Sequence, residues 1–535
     1  MLFRFGFGDV ADRIGLARYL RWGRRVFRRG KPAPVLQATQ AQRIRMALEE
    51  LGPTFIKFGQ VISTRPDLIP ADVIEELSKL QERVPPFPYE VVAQTIEREL
   101  GEPISRCFAD FDPTPLAAGS LGQVHRAKYR DGTALAVKVR RPNAVADVER
   151  DLMLLMEMAV LLERHLPETA VFDPIGLVNH FTRTIRRELN YTREARSMDE
   201  FARLFRNDAT LRVPRVYWDC TTDAVLTMEY ISGYRVDDAE AVASAHISPH
   251  HLAANGARIF MKQAFQLGIF HGDPHPGNLR VMRDGSLCLL DFGMIGMLED
   301  DMREQLVDLF LSIHRRDVPS AVRLIQKIGQ PFRPCELPLL RADVRDFVEN
   351  YYELPLERLN VGNMLTDFVR ILSNHGIRCP GDLMLLIRAI VTLEGVGRDL
   401  DPDFNFAQHL APFVEEIVRE RHNPKQMASR AMAETRTFLQ LAHDVPLHVG
   451  KAIEKLSKDE LKLQFEHRGI DHLITEIDRS SNRVVIGLVL SSLIVASALV
   501  IRAGIGTLWF SIPIFLLSSL LGAWLVYGVF RSGRL

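Results

Sequence analysis

Two aspartates and one asparagine stand at intervals that suit metal-dependent chemistry on phosphate groups. Asp273 and Asn278 lie five residues apart in the segment 271–278, HGDPHPGN, and Asp291 opens a DFG tripeptide thirteen residues after Asn278. One carboxylate can orient a nucleophile, while Mg²⁺ takes oxygen ligands from a second carboxylate and an amide. We therefore expect Asp273 to be the catalytic carboxylate and Asn278 and Asp291 to be metal ligands.

The same intervals occur in the HRDxxxxN catalytic loop and the DFG motif of protein kinases, which predicts that the chain binds ATP with Mg²⁺. A kinase also needs a strand lysine that contacts the phosphates and a helical glutamate that holds this lysine. Lys138 ends an Ala-Val-Lys sequence and Glu194 lies in a helical segment, so these two are the expected catalytic pair. Taken alone, Lys138 is as simply explained as a solvated charge on a strand.

Two further segments are expected to contact the nucleotide. The first is a loop of small residues where kinases have GxGxxG, and small side chains let backbone N–H groups approach phosphates. Its expected contact residues are Ala117, Ala118, Gly119, Ser120, Gly122, Gln123 and Val124. The second is Met228, Glu229 and Tyr230, at the end of an apolar strand, where a connection between lobes would offer backbone groups to adenine. Core packing explains these three side chains equally well.

Periodicity and turn residues predict the elements that position these groups. The predicted strands are 122–129, 134–140, 213–219, 224–231, 279–282 and 287–290, with Asp-Gly turns in the first and last hairpins. The predicted helical regions are 31–100, 144–205, 249–267 and 299–480. A strand-rich lobe, a helical lobe and a catalytic hairpin between them form an α+β, two-lobed, protein-kinase-like fold.

Composition excludes several classes of protein. Hydrophobic residues make up 47% and charged residues 25% of the 535 residues, which is typical of folded domains rather than disordered chains. The 67 basic and 67 acidic residues balance, so no overall field favours nucleic acid, and none is expected as a partner. The five cysteines form no CxxC pair, which argues against a disulfide framework or a zinc site and favours a reducing cytosolic compartment.

Both ends of the chain have features of membrane association. Residues 1–31 contain nine basic residues against two acids, interleaved with leucine and aromatic residues. This arm is either a helix on an anionic membrane surface or a solvated basic tail. Near the C-terminus, 484–501 and 503–530 contain no charged residue, and each is long enough to span a bilayer. We expect a transmembrane helical hairpin whose flanking arginines place the rest of the chain in the cytoplasm.

The chain resembles the UbiB (AarF-domain) family of atypical kinase-like proteins. Four features carry the resemblance: residues 57–60, which read KFGQ and match the family's KxGQ; the small-residue loop at 117–120; the HGDPHPGN segment; and the C-terminal hairpin, which matches the anchor of bacterial members. The resemblance is close over 45–300 and extends to the rest of the chain by architecture.

The resemblance implies an N-terminal KxGQ helical extension that folds over the active site, with Lys57 and Gln60 as regulatory residues and Glu188 as a partner of Lys57. It further implies an atypical kinase or ATPase that supports ubiquinone biosynthesis at the bacterial inner membrane, with the kinase-like domain in the cytoplasm. The implied partners are ATP and the lipid bilayer. Quinone precursors and quinone-biosynthesis enzymes are further candidates.

Two departures from the family pattern leave the strength of any activity open. The family's ExD segment is Glu188-Leu189-Asn190 here, and Gly119 stands where a third alanine is common. One alternative is a small-molecule phosphotransferase of the aminoglycoside or choline-kinase type, which has a similar loop but lacks both the KxGQ segment and the anchor. The other is a nucleotide-switched, non-catalytic lipid-handling scaffold, which Asn190 motivates.

Six domains follow from these patterns. Their expected boundaries are 1–44 for the basic arm, 45–105 for the KxGQ extension, 106–232 for a kinase-like N-lobe with a helical insertion, 233–425 for the C-lobe, 426–480 for a helical linker and 481–535 for the transmembrane anchor.

Overall fold

The computed structural model describes residues 38–63, 65, 69–80, 84–165, 173–332, 335–352 and 359–421, together with scattered helical positions between 484 and 520. The chain divides into two compact units, Met1–Met427 and Ala428–Leu535. The elements that follow belong to the first unit.

The described part of the first unit is mixed α+β with a helical majority, as the α+β prediction requires. The helices are α1 (Gln40–Leu51), α2 (Pro53–Ile62), α3 (Ala71–Leu77), α4 (Tyr89–Leu100), α5 (Ile104–Cys107), α6 (Ala144–His165), α7 (Pro174–Glu188), α8 (Tyr191–Leu204), α9 (Ala239–Ser244), α10 (Pro249–Met261), α11 (Asp300–His314), α12 (Val318–Ile328), α13 (Leu337–Tyr352), α14 (Val361–Asn374), α15 (Gly381–Leu400) and α16 (Phe406–Arg421).

The strands are short and fall into four groups. They are β1 (Asp110–Ala118), β2 (Gly122–Lys128), β3 (Ala134–Arg140), β4 (Leu211–Arg212), β5 (Val225–Glu229), β6 (Tyr234–Arg235), β7 (Ile269–His271), β8 (Leu279–Val281), β9 (Leu287–Leu289), β10 (Ile295–Met297), β11 (Gln330–Pro331) and β12 (Ile377–Arg378). The sheet orders are β1-β2-β3-β5 and β4-β9-β8-β6, and β7 pairs with β10 and β11 with β12.

The first sheet is antiparallel and presents Lys138 on one face. The predicted hairpin is confirmed as β2 and β3, joined at Gly132, whose φ of 88° only glycine adopts readily. Alternate residues of β3, Leu135, Val137 and Val139, are fully buried in a cluster with residues of α4. Because strand side chains alternate between faces, Lys138 points to the opposite side of the sheet.

The second sheet confirms one strand prediction and corrects another. The hairpin predicted over 279–290 is present as β8 and β9 with Gly285 at φ 80° in its turn. The strand predicted over 213–219 is wrong: Val216 forms a single bridge to Met228, and Trp218–Cys220 is a 3₁₀ turn. Pro214 explains the difference, since proline has no N–H to donate to a sheet ladder.

The helical predictions hold broadly, with one irregularity near the site. Helix α10 continues into a π-helical turn, Lys262–Leu267, before β7. Helices α11 to α16 pack around a large apolar cluster that contains Phe347, Phe368 and Phe406. The helical interpretation of 299–480 therefore applies as far as residue 421, apart from β11 and β12, and 422–480 lies outside the described residues.

The segments predicted to associate with the membrane fall largely outside the described part of the chain. The basic arm over 1–37 is not described, and the hairpin predicted over 484–530 is described only at scattered helical positions. Within the described residues, no helix combines the length and the apolar character that a membrane crossing requires.

Candidate functional site

The site is centred on the ammonium group of Lys138, which bridges two acidic side chains. Its Nζ lies 2.9 Å from Oε2 of Glu194 and 3.3 Å from Oδ2 of Asp291. Glu194 is buried, at 5% side-chain exposure, whereas the Asp291 carboxylate is 45% exposed. The structure thus brings together the predicted lysine, glutamate and DFG aspartate, and leaves one carboxylate open towards the cleft.

Local folding rules explain why Glu194 meets Lys138. Helix α8 starts after Asn190, whose Oδ1 accepts the backbone N–H of Arg193 at 3.0 Å and so caps the helix. Glu194 lies in the first turn of this helix, where a carboxylate is also favoured by the helix dipole. The amide at position 190, a departure from the ExD pattern, therefore serves as a helix cap here.

The charges at this centre shift one another's ionisation. Burial alone would raise the pKa of Asp291, but Lys138, the N–H of Gly293 and the charge of Lys57 outweigh it and hold the pKa at about 2. Burial raises the pKa of Glu194 to about 7 against the pull of Lys138. Burial lowers the pKa of Lys138, but the two carboxylates more than compensate and raise it well above its ordinary value. At neutral pH, Lys138 is a cation and Asp291 an anion.

A buried histidine joins the catalytic loop to the DFG segment. His271 Nε2 donates to the backbone carbonyl of Asp291, and its Nδ1 accepts the N–H of Asp273 at 3.3 Å. Burial lowers the pKa of His271, so the neutral tautomer fits both bonds. Asn278 Nδ2 donates to the carbonyl of Asp273 at 3.2 Å, which closes the loop that carries both predicted functional side chains.

An arginine that the motifs do not reveal contacts the predicted catalytic carboxylate. Arg388, on α15, places Nη2 3.3 Å from Oδ1 of Asp273. Leu385, one turn earlier, lies so close to Gly272 that a Cβ there would meet its Cδ2 at 2.6 Å. A sequence signal exists: Arg388 is the single charged residue between Asp382 and Glu394 in an otherwise apolar helix.

The loop predicted to cover the nucleotide is held in place by hydrogen bonds. Gly119 N–H donates to the carbonyl of Gly122 at 2.8 Å, and Arg141 donates from its backbone N–H to Leu121 and from Nε to Gly119 at 3.1 Å. Arg141 Nη2 also donates to the carbonyl of Pro85 at 2.7 Å. Arg141, which sequence reasoning missed, therefore ties the loop to Pro85, inside the predicted KxGQ extension.

The other predicted loop residues have mixed placements. Ala117 and Ala118 end β1 and pair with Val124 and Gln123 of β2, beside the turn. Ser120 is buried. The side chain of Gln123 is bonded to Phe87 in both directions, with Phe87 N–H at 2.9 Å from Oε1. The side chain of Gln123 is thus engaged with Phe87, and its contact with a nucleotide stays a prediction.

The predicted adenine-facing segment lies at the end of β5 and stays a prediction. The N–H groups of Glu229 and Tyr230 donate to the carbonyls of Arg215 and Ala134 at 2.8 and 2.9 Å. The Glu229 side chain pairs with Arg212. Met228 belongs to β5, in register with Ala136 of β3.

The KxGQ segment lies on α2, next to the same cleft. Lys57 Nζ forms an ion pair with Oε2 of Glu188 at 3.0 Å, as the resemblance implied, and its charge acts on Asp291. Gln60 instead donates to the carbonyl of Leu80 at 3.1 Å, inside the extension. Gly59 is required for packing, because a Cβ there would meet Leu80 Cδ1 at 2.4 Å.

The acidic side chains suit a metal that arrives with phosphates. Within the described residues, no cluster of three or more His, Cys, Asp or Glu side chains could hold a metal by itself. Hydrogen bonds connect both candidate ligands to the catalytic loop: Asp291 accepts from His271, and Asn278 donates to Asp273. One carboxylate and one amide, completed by phosphate oxygens and water, form a ligand set that Mg²⁺ accepts. The set is too small for a metal that is held by protein side chains alone.

Three family models match the chain. They are the ABC1 atypical kinase-like domain over residues 79–325, the UbiB helical domain over 344–405 and the ABC1/UbiB kinase-like C-terminal domain over 468–531. The first covers every predicted site residue except Lys57 and Gln60, and the second contains Arg388.

Curated relatives match over most of their length. A protein of Synechocystis sp. named "Uncharacterized protein sll1770" is 36% identical over 442 residues, which cover 81% of this chain and 75% of the relative. A "Probable protein kinase UbiB" of Marinobacter nauticus is 35% identical over 426 residues, covering 79% and 78%. A solved structure of Rv3197 with erythromycin, from Mycobacterium tuberculosis, is similar at a TM-score of 0.48 and 24% identity, over 68% of this chain and 92% of that chain.

Proposed function

The chain belongs to the ABC1/UbiB family of atypical kinase-like proteins, and from this premise we propose that it binds Mg-ATP and acts as a membrane-anchored kinase or ATPase in ubiquinone biosynthesis. The observation that carries the proposal is the Lys138 ammonium, 2.9 Å from Glu194 and 3.3 Å from Asp291. A cation held between a buried glutamate and a half-exposed aspartate is suited to receive α- and β-phosphates beside a metal ligand.

The chain's own residues divide the work of phosphoryl transfer. Lys138 holds phosphate oxygens, and Glu194 fixes the lysine from behind. Asn278 and Asp291 would hold Mg²⁺, which neutralises charge on the transferred phosphate when it is bound. Asp273, kept in place by His271 and Arg388, orients the attacking hydroxyl or water. Its contact with Arg388, at 3.3 Å, restrains the position of the carboxylate.

Membrane anchoring is supported by the second unit. The segments 484–501 and 503–530 lack charged residues. Large apolar side chains are exposed at described positions of this unit: Val484, Leu488, Val495, Leu499, Ile512, Leu516, Leu517 and Leu520. Apolar side chains such as these can lie in the hydrocarbon core of a bilayer without removing polar groups from water. Flanking arginines favour a cytoplasmic kinase-like domain at the bacterial inner membrane.

The catalytic proposal is tested by steady-state ATP hydrolysis on the detergent-solubilised, full-length protein, with and without phenolic quinone precursors and anionic lipid. We expect Mg²⁺-dependent turnover that Asp291→Asn lowers by at least about a hundredfold, because the amide is a poorer metal ligand. Asp284→Asn, at the turn of the same β8–β9 hairpin, is the matched control. Turnover in Asp291→Asn equal to that of the control would overturn the proposal.

The place in ubiquinone biosynthesis is tested in cells. A deletion strain is expected to lose ubiquinone and accumulate a precursor, and the wild-type gene is expected to restore the quinone. Normal quinone content in the deletion strain would refute this part of the proposal and leave the ATPase assay standing.

A scaffold function remains the second candidate, favoured by Asn190. Its side chain caps α8, so a carboxylate proposed near the metal in relatives is replaced by a structural amide. In this alternative, nucleotide binding changes the shape of a lipid-handling protein without turnover. Quinone restored by Asp291→Asn without ATP hydrolysis would favour the scaffold over the kinase.

A further inference from the structure

The hydroxyl group of Tyr191 is buried and has no hydrogen-bond partner among the described residues. The side chain is 1% exposed, and its Oη is shielded from solvent. Its backbone N–H is already satisfied by the carbonyl of Asp223 at 3.2 Å. Buried polar groups are nearly always hydrogen-bonded in folded proteins, so an orphaned hydroxyl indicates a missing ligand or water.

The position of this hydroxyl is within the proposed nucleotide site. The ammonium of Lys138 lies 5.1 Å from the centre of the Tyr191 ring. A Cβ on Gly122, the first residue after the nucleotide-covering loop, would lie 2.5 Å from Oη. Glycine is therefore required at 122, because a Cβ there would meet both this hydroxyl and the backbone oxygen of Val139 at 2.5 Å. The Tyr191 side chain thus has Gly122 against its hydroxyl and Lys138 beside its ring.

The hydroxyl keeps its proton at neutral pH. Burial and the nearby carboxylates of Glu194 and Asp291 raise the pKa of Tyr191 to about 12, against the lowering effect of Lys138. Oη can therefore donate a hydrogen bond, and the complementary group must be an acceptor. The Lys138 ammonium, 5.1 Å from the ring centre, makes this space favourable for an anion.

We propose that Tyr191 Oη donates a hydrogen bond to a phosphate oxygen of the bound nucleotide. The inference rests on the proposed ATP-binding function and assigns this function a residue outside its motifs. Gly122, at the start of β2, lies against Oη, and Arg141 holds the preceding loop at Gly119 and Leu121. Nucleotide entry lifts the loop, and the phosphate reaches the hydroxyl.

The test is Tyr191→Phe, which removes the hydroxyl and retains the ring. Affinity is measured by calorimetry on the full-length, detergent-solubilised protein with Mg-ATP, Mg-ADP and adenosine. We expect roughly tenfold weaker binding of ATP or ADP, since a hydrogen bond to a charged acceptor is lost. Adenosine binding is expected to stay unchanged. Without nucleotide, the melting temperature is expected to be equal or higher, because an unsatisfied polar atom is removed.

A control and a second readout separate the possible outcomes. Tyr217→Phe, in the first lobe but away from Lys138, controls for loss of a hydroxyl. Incorporation of 3-fluorotyrosine at 191 is expected to give a ¹⁹F resonance that shifts with Mg-ADP and not with adenosine. The inference is overturned if Tyr191→Phe loses affinity equally for adenosine and ATP, or loses no affinity at all. The proposed function still stands in that case if the wild type binds Mg-ATP. A wild type that binds no nucleotide overturns both.

Discussion

Two lysine–glutamate pairs border the cleft, one on the nucleotide side and one on the KxGQ side. The Lys138–Glu194 and Lys57–Glu188 distances are 2.9 and 3.0 Å, and the lysine side chains are 21% and 22% exposed. Their surroundings differ, because Lys138 also contacts Asp291 whereas Lys57 acts on Asp291 through its charge. Similar pair geometry therefore carries unequal consequences: Lys138 contacts two carboxylates of the site, whereas Lys57 contacts Glu188 and acts on Asp291 through its charge.

The two sides differ in what their residues contact: the Lys138 side gathers the charged groups of the proposed active site, and the KxGQ side binds neighbouring backbone segments. On the nucleotide side, each partner is a motif residue in a strand or in the first turn of a helix. On the KxGQ side, Gln60 bonds to Leu80 within the extension. Farther along the same extension, Pro85 is bonded to Arg141 and Phe87 to Gln123. These contacts hold the extension and the nucleotide loop together. We infer that the first side sets chemistry and the second sets access.

The largest effect is expected from removal of each lysine in turn. Lys138→Met leaves the buried Glu194 and the half-exposed Asp291 without their shared cation, and removing one partner of a buried ion pair costs about 3 kcal/mol or more. Lys57→Met removes the cation paired with Glu188 and is expected to cost less than half as much. Urea unfolding of both variants measures the difference. Equal losses of unfolding free energy would break the distinction between the two pairs.

A second effect concerns Arg388, which positions Asp273 from the helical domain. Arg388→Ala is expected to lower kcat for ATP hydrolysis about tenfold with little change in KM, because orientation and not binding is lost. Arg388→Lys is expected to recover part of kcat. Arg398→Ala is the control, since Arg398 lies on the same helix and pairs with Glu394 at 2.8 Å. A change confined to KM would remove Arg388 from the chemical centre.

Local sequence signals predict the residues around Lys138 better than they predict the contacts of the KxGQ side. Asp-Gly turns and alternating residues predict both hairpins that carry Lys138 and the DFG segment, since these signals are local. Arg388 lies 115 positions after Asp273, and no local pattern indicates that helix α15 would reach the catalytic loop. The strand expected over 213–219 fails because Pro214 removes a donor from an otherwise apolar run. Contacts such as Arg141 to Pro85 depend on tertiary packing and leave no periodic signal.

The pH dependence of stability sharpens the role of Glu194. Its pKa is about 7 in the folded chain, above the 4.5 of a free glutamate. Between these values the folded state holds a proton that the unfolded state has released, so this group's contribution to stability is lost as pH rises from about 4.5 to about 7. Glu194→Gln is expected to flatten this decline in melting temperature. Glu200→Gln, an exposed position on the same helix, controls for the lost charge, and parallel curves for Glu194→Gln and wild type would contradict the assignment.

The smallest effect tests whether the two sides of the cleft are coupled at all. Arg141→Ala removes the bonds from the side chain to Gly119 and Pro85, at 3.1 and 2.7 Å, while the bond from its backbone N–H remains. We expect release of a fluorescent ATP analogue to accelerate about threefold, the cost of one modest hydrogen bond in the closed loop. Arg130→Ala is the matched control, because Arg130 also bonds a backbone carbonyl, that of Arg106 at 2.8 Å, at the far end of the same hairpin. Faster release only in Arg141→Ala means that the segment around Pro85, inside the KxGQ extension, restrains the nucleotide loop; equal release rates mean that the extension controls access by some other contact.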